Sequence, residues 1–171
     1  MDYFDVVRQR RSIRAFSTKP FEQEKLQKIL ETANAAPSAG NLQAYEIYLV
    51  TQPADRAALA RAAGDQDFVA AAPVVLVFCA HPSRAERRYG QRGVRLYALQ
   101  DATIACTFAM LAAEALGLAT VWVGAFNDEA VHAAIGAPAG IIPVAVLPIA
   151  YPAEKPGPTS RRRLEDLVHT V

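Results

Sequence analysis

RRSIRAF, Arg10 to Phe16, and PSAGNLQAY, Pro37 to Tyr45, are two short polar stretches separated by a helical run. The first puts three arginines within five residues, with a serine among them. Guanidinium groups offer bidentate donors to phosphate oxygens, and Ser12 adds a hydroxyl, so this is a candidate anion site. Taken alone it reads more readily as a solvated, arginine-rich helix end. The second stretch carries the Ser, Gly and Asn of a backbone turned tightly around something. Between the two, Leu26, Ile29, Leu30 and Ala33 recur at helical spacing, so residues 21–36 read as one amphipathic helix. Ser17, Thr18, Pro20 and Glu22 supply its start signals, and Pro37 stops it.

Outward from these stretches, helices alternate with short apolar strands. Met1–Arg10 reads as a short helix. Tyr45–Thr51 is β-branched and aromatic, a strand. Pro53–Ala63 is an Ala-rich helix ended by Gly64. Pro73–Ala80 (PVVLVFCA) is a continuous apolar run, a strand buried on both faces. Residues 83–93 are polar and end in YGQRG. Val94–Leu116 is the longest helix and is apolar on more than one face, so it needs more cover than one sheet face supplies. Ala119–Val123 reads as a strand, Asn127 or Asp128 as the cap of a short helix, and Ile142–Ala150 as a last strand. Its Pro143 and Pro148 argue for a strand end or edge. From Pro152 to Arg163 the chain reads as an extended, Pro-rich tail, followed by a final LEDLVHTV.

Composition narrows the function. The 171 residues are 52% hydrophobic and 20% charged, which fits one domain, 1–171, with a sizeable core. A net charge of +1 gives no global drive toward nucleic acid or a membrane surface. Arginine nevertheless clusters at Arg8–Arg14, Arg84–Arg95 and Arg161–Arg163, which suggests a small anionic ligand; the middle cluster reads equally as a solvated helix face. Cys79 and Cys106 sit in separate apolar runs as buried free thiols. His81, His132 and His169 are scattered without metal-ligand spacing, so no metal is expected. With no apolar leader at the N-terminus and no apolar run of spanning length, a cytoplasmic protein is expected. Neither GxxxxGK[ST] nor GxGxxG occurs. Asp101, inside the long helix, reads as a structural hydrogen-bond acceptor, and Trp122 either as core or as part of a site.

Five segments together resemble the small nitroreductase-type flavoproteins: RRSIRAF (10–16), APSAGNLQ (36–43), YGQRGVRLYALQDA (89–102), LGLATVWVGAF (116–126), and YPAEKP with RRRLEDLV (151–168). They occur in family order across nearly the whole chain. The resemblance implies an α+β fold, helices around a small mixed sheet, in an intertwined homodimer with FMN at the subunit interface. It implies that Arg10, Arg11, Ser12 and Arg14 meet the flavin phosphate, ribityl chain and ring. Pro37, Ser38, Ala39, Asn41 and Gln43 would come from the other subunit. Trp122, Val123, Gly124 and Ala125 would present backbone N–H groups to the ring's N5/O4 edge, and Arg161 would close on the phosphate. Arg14 and Gly124 would tune the flavin, since a fixed cation near N1 stabilises its reduced, anionic form.

The activity so implied is hydride transfer from NADH or NADPH through flavin N5 to a planar acceptor such as a nitroaromatic or quinone. Rival readings are a dehalogenase or flavin-fragmenting enzyme of the same family, or a non-catalytic flavin-binding sensor. The chain departs from the family at Ala44 and Tyr45, where many relatives carry Pro and Trp. It is also short between Pro82 and Val94, which leaves an open substrate face lined by Tyr89, Arg92 and Tyr97.

Overall fold

The computed structural model describes residues 2–171; Met1, part of the expected first helix, lies outside them. Seven helices are described: α1 Tyr3–Gln9, α2 Gln23–Asn34, α3 Pro53–Ala62, α4 Asp67–Ala71, α5 Pro82–Arg92, α6 Ala98–Ala115 and α7 Asp128–Ala134. Four strands, β1 Tyr45–Val50, β2 Val74–Ala80, β3 Ala119–Thr120 and β4 Ile142–Ala150, form one sheet in the order β1-β2-β4-β3. Every ladder is antiparallel; the parallel element is an isolated bridge joining Ser12 to Thr120. This is the expected α+β arrangement.

Strand β2 is the spine. All seven of its residues are buried, because helices cover both faces. Val74, Leu76, Phe78 and Ala80 point into a core shared with α2 and α6. Val75, Val77 and Cys79 point into a second core with α3, α4 and α7. The strand period of two thus divides one apolar run between two cores.

Strand β4 is central, not an edge; Pro143 stands at a strand end, second in β4, as expected, while Pro148 lies inside the strand and corrects the expectation. Both prolines sit where a missing donor costs little. Pro143 lies at a register shift, where Phe78 opposes Ala145 but Cys79 opposes Pro143. Val146 exchanges both backbone bonds with Val123, so Pro148, two residues on, turns its nitrogen to the same side. There β3 has already stopped at Thr120, and no ladder donor is required.

The polar stretch after Pro82 is helix α5, in keeping with the reading of its arginines as a helix face, and Asp67–Ala71, to which the sequence assigned no element, is a further short helix, α4. One other expectation changes. Ser17 and Thr18 do not cap α2. Glu22 is its N-cap, while the Ser17 N–H is drawn to the Tyr151 carbonyl at 2.9 Å.

By length and composition the helical run Pro82–Ala115 could cross a membrane. It is no straight rod. Gly90 adopts φ +53°, and a Cβ placed on Gly93 would come within 2.6 Å of the Ala85 carbonyl oxygen. Eight residues of continuous α-helix span about 12 Å, so the chain folds back on itself at Gly90. A π-helical turn, Gly93–Tyr97, then leads into α6. Ala98, Ala102, Ala105, Cys106, Ala109 and Ala113 of α6 are buried in the core. Its other flank is less covered: Leu99 is 46% exposed, and Phe108, Leu111 and Ala112 line an open apolar groove of about 710 Å³ between α1, α2 and α6.

Candidate flavin site

The RRSIRAF segment leaves α1 at Arg10, whose N–H closes that helix on the Val6 carbonyl. It then runs beside β3, where the Ile13 N–H donates to the Thr120 carbonyl at 3.1 Å and Ile13 anchors the segment in the core at 7% exposure. Burying Ile13 turns Ser12 and Arg14 outward, and both are exposed. Glu154 fixes the segment from the tail side. Its carboxylate accepts the Arg14 N–H at 2.5 Å and the Ala15 N–H at 2.9 Å. Those backbone bonds, helped by the Arg14 charge, hold the Glu154 carboxyl below the usual carboxylate range. Arg11 folds back onto the carbonyls of Arg8 and Arg10. Burial pushes the nearby Glu114 carboxyl up, while Arg10 and Arg11 pull it down. Glu114 and Glu154 belong to the site's electrostatics and were missed in the sequence; a glutamate in an apolar helix was the available signal for the first.

The same edge carries the Trp122–Ala125 segment. Val123 cannot offer its N–H to a ring, because it donates to the Val146 carbonyl at 3.0 Å. That corrects one of the four expected backbone donors. The N–H groups of Trp122, Gly124 and Ala125 have no hydrogen-bond partner among the described residues, and Gly124 and Ala125 are exposed. A Cβ on Gly124 would lie 3.1 Å from Trp122 Nε1, so glycine lets the indole lie against the backbone. Trp122 packs partly on the core, so it is half core and half surface.

The second segment lies elsewhere. Asp101, 2% exposed on α6, accepts the Ala39 N–H at 2.9 Å and the Ala44 N–H at 3.2 Å. It is the structural acceptor the sequence suggested. Ser38 Oγ accepts the Gln43 N–H at 3.0 Å. Held at those points, Gly40, Asn41 and Gln43 all take positive φ, +56°, +57° and +45°. Left-handed conformations at Asn and Gln store strain of order 1–3 kcal/mol each and cluster at functional sites. Pro37 and Asn41 are exposed, and Arg84 of α5 donates to the Leu42 carbonyl at 3.1 Å. Ala44 and Tyr45 are core residues, with the Tyr45 hydroxyl on the Ala33 carbonyl at 3.3 Å.

Within one chain the two segments stand at opposite corners of the sheet. Tyr45, Ala80 and Ile142 form one row, while Thr120 pairs with Ile149 near the other end of β4. Four strand steps across and seven residues along give a separation of about 30 Å. That is farther than one mononucleotide reaches. Arg161 is also apart: it lies in the exposed tail and donates to Thr159 Oγ1 and the Ser160 carbonyl.

The donor set suits a flavin mononucleotide. The half-buried Arg10 and Arg11 beside the exposed Arg14 supply guanidinium groups for one terminal phosphate, and backbone N–H groups without a partner among the described residues, on a glycine-lined edge, match a flat heteroaromatic rim. The class defined by these features is an α+β protein with a sheet-edge site for a planar, phosphorylated cofactor.

Known proteins narrow that class. The model of the nitroreductase family matches residues 7–66 and 60–151. A protein of Thermus thermophilus named NADH dehydrogenase is 36% identical over 186 residues, covering 93% of this chain and 91% of that one. The FMN reductase [NAD(P)H] of Bacillus subtilis is 32% identical, covering 93% and 69%. The structure of the NADPH:FMN oxidoreductase of Vibrio harveyi in complex with NAD+ superposes with a TM-score of 0.90 at 28% identity, covering 98% of this chain and 76% of that one. This chain belongs to the nitroreductase family.

Proposed function

We propose that this protein is an FMN-dependent NAD(P)H oxidoreductase whose site is built by two copies of the chain. FMN, when bound, would supply the hydride chemistry between the nicotinamide donor and a planar acceptor such as a nitroaromatic or quinone. The relatives named FMN reductase and NADPH:FMN oxidoreductase support cofactor and donor.

The chain's own residues bind, orient and tune. Arg10, with Arg11 and Ser12, takes the phosphate end. Arg14 would place its charge toward the pyrimidine end, where negative charge develops. Gly124 and Ala125 would donate to the ring and orient it. Pro37, Ser38, Ala39, Asn41 and Gln43 enter from the partner copy, and Arg161 closes the phosphate end from the tail.

The single observation that carries this reading is the diagonal separation of the two segments, which a dimer resolves. Apolar surface supports the same assembly: Tyr3 and Phe4 are 65% and 75% exposed, and Leu164 and Val168 of the tail 74% and 65%. Complementation tests it. Arg14→Ala and Asn41→Ala homodimers, each deficient in FMN binding, are unfolded together and refolded. Mixed dimers then hold one intact site each and recover up to a quarter of wild-type sites, by random pairing of subunits. No recovery means that one chain supplies both segments or that the chain does not pair.

A further inference from the structure

Apart from Arg84, which donates to the Leu42 carbonyl, the arginines of the α5 hairpin have no place in the flavin site described above. Residues 82–97 hold five arginines against one glutamate, a net +4 in a chain whose total is +1. No ion pair joins any of the five to a carboxylate among the described residues. An unpaired concentration of this kind persists at a cost in mutual repulsion, and it attracts an anion.

The cluster is also ordered. The Arg88 guanidinium lies over the Tyr89 ring at 5.5 Å, and that of Arg92 over Tyr97 at 5.4 Å. The two tyrosines meet edge to face, 5.0 Å apart at 88°. Arg92 Nε donates to the Tyr97 hydroxyl at 2.9 Å, which leaves its terminal nitrogens free. Guanidiniums held on aromatic rings lose less side-chain freedom when they take up a phosphate. The hairpin that positions them depends on Gly90 and Gly93.

Its place matters most. A Cβ on Gly40 would sit 2.5 Å from the Tyr89 hydroxyl oxygen and 2.9 Å from an Arg88 terminal nitrogen. The cluster therefore flanks the loop that enters the flavin site. A ligand whose reactive end lies at the flavin and whose other end is a phosphorylated purine nucleotide matches both halves.

We propose that Arg88 and Arg92, braced by Tyr89 and Tyr97, bind the 2′-phosphate of the nicotinamide donor and make NADPH its preferred form over NADH. This rests on the functional reading above and deepens it by naming the donor. The 2′-phosphate is the group NADH lacks, so the arginines act on one donor only. Bidentate guanidinium–phosphate pairing sets the scale, about 10- to 100-fold in affinity per arginine.

The test compares wild type, Arg88→Ala, Arg92→Ala and Arg88→Lys. Steady-state kinetics with NADPH and NADH give the ratio of their kcat/KM values, and calorimetry gives the affinity for 2′,5′-ADP and 5′-AMP without turnover. Wild type is expected to prefer NADPH at least tenfold and to bind 2′,5′-ADP more tightly than 5′-AMP by the same order. Each alanine variant is expected to lower the donor ratio about 10- to 100-fold, mainly through KM for NADPH, with Arg88→Lys recovering part of it. Equal affinities of wild type for the two nucleotides overturn the proposal. So does a variant that loosens the dimer and leaves the donor ratio unchanged, which would mean the arginines pair with the partner's carboxylates. FMN content is measured on every sample: its absence from wild type strikes the functional reading, whereas intact loading with an unmoved ratio strikes the donor assignment alone.

Discussion

Replacing Asp101 with asparagine tests how the Pro37–Gln43 loop keeps its shape. The carboxylate is 2% exposed and accepts two backbone N–H groups, at 2.9 and 3.2 Å, from Ala39 and Ala44. Asparagine keeps one acceptor oxygen and turns an NH2 toward the other donor. One charge-assisted bond, about 1.5–3 kcal/mol, is lost, and a buried N–H is left without a partner, about 1–3 kcal/mol more. Removing a buried charge offsets part of this. The expected net loss is about 2 kcal/mol, out of about 5–15 for a typical domain. With a urea m-value of about 2 kcal/mol/M, the midpoint falls by about 1 M. The assay is urea unfolding at fixed protein concentration, followed by circular dichroism, with FMN titration of the folded variant. Because the left-handed Asn41 and Gln43 relax when the clamp weakens, FMN affinity falls along with stability. An unchanged midpoint would show that the strained loop holds itself and that Asp101 is no clamp.

Arg10→Ala weakens FMN binding by about 1.5–3 kcal/mol, the value of a lost charged hydrogen bond, and leaves riboflavin binding unaltered; equal FMN affinities in titration would refute it. Arg14→Gln keeps a donor but removes the charge, so the flavin midpoint potential falls by some tens of millivolts, at about 30 mV per 1.4 kcal/mol for two electrons; spectroelectrochemistry reads it. The folded Glu154 carboxyl is held below its ordinary 4.5 by the Arg14 and Ala15 N–H groups. Its contribution is therefore complete above about pH 4.5 and is lost as pH falls through the lower folded value, so Glu154→Gln flattens the acid limb of a stability–pH profile. Burial pushes the Cys79 thiol up to about 12 and the Cys106 thiol higher still. Neither thiol reacts with a disulfide reagent at pH 8 until the protein unfolds, which a colorimetric thiol assay with and without denaturant checks.

The scaffold was largely legible because its signals are local. The all-apolar PVVLVFCA stretch announced a strand covered on both faces, and the Leu26–Ala33 spacing announced α2. What stayed hidden depended on distant partners. Pro143 and Pro148 spoke for a strand end or edge; Pro143 does stand at a strand end, but a register shift and the early end of β3 let a central strand carry both. The polar hairpin after Pro82 lacks a helical apolar stripe, since only Ala85 of α5 is buried. In the site, the motif residues were legible as types, but not which of their atoms are free. Val123 looked like a ring donor until its N–H was found on Val146, and Glu154 clamps a segment 140 residues away. Hydrogen bonds at such separation leave no mark in a single sequence.

Anaerobic rapid mixing of the purified protein with NADPH, followed at the flavin absorbance band, asks whether the dimer is an FMN-dependent oxidoreductase. That assignment requires a yellow dimer carrying FMN that bleaches on mixing and recovers its colour when a quinone or nitroaromatic is added. A protein that takes up no FMN, or one whose bound FMN stays oxidised in the presence of both NADPH and NADH, would contradict it.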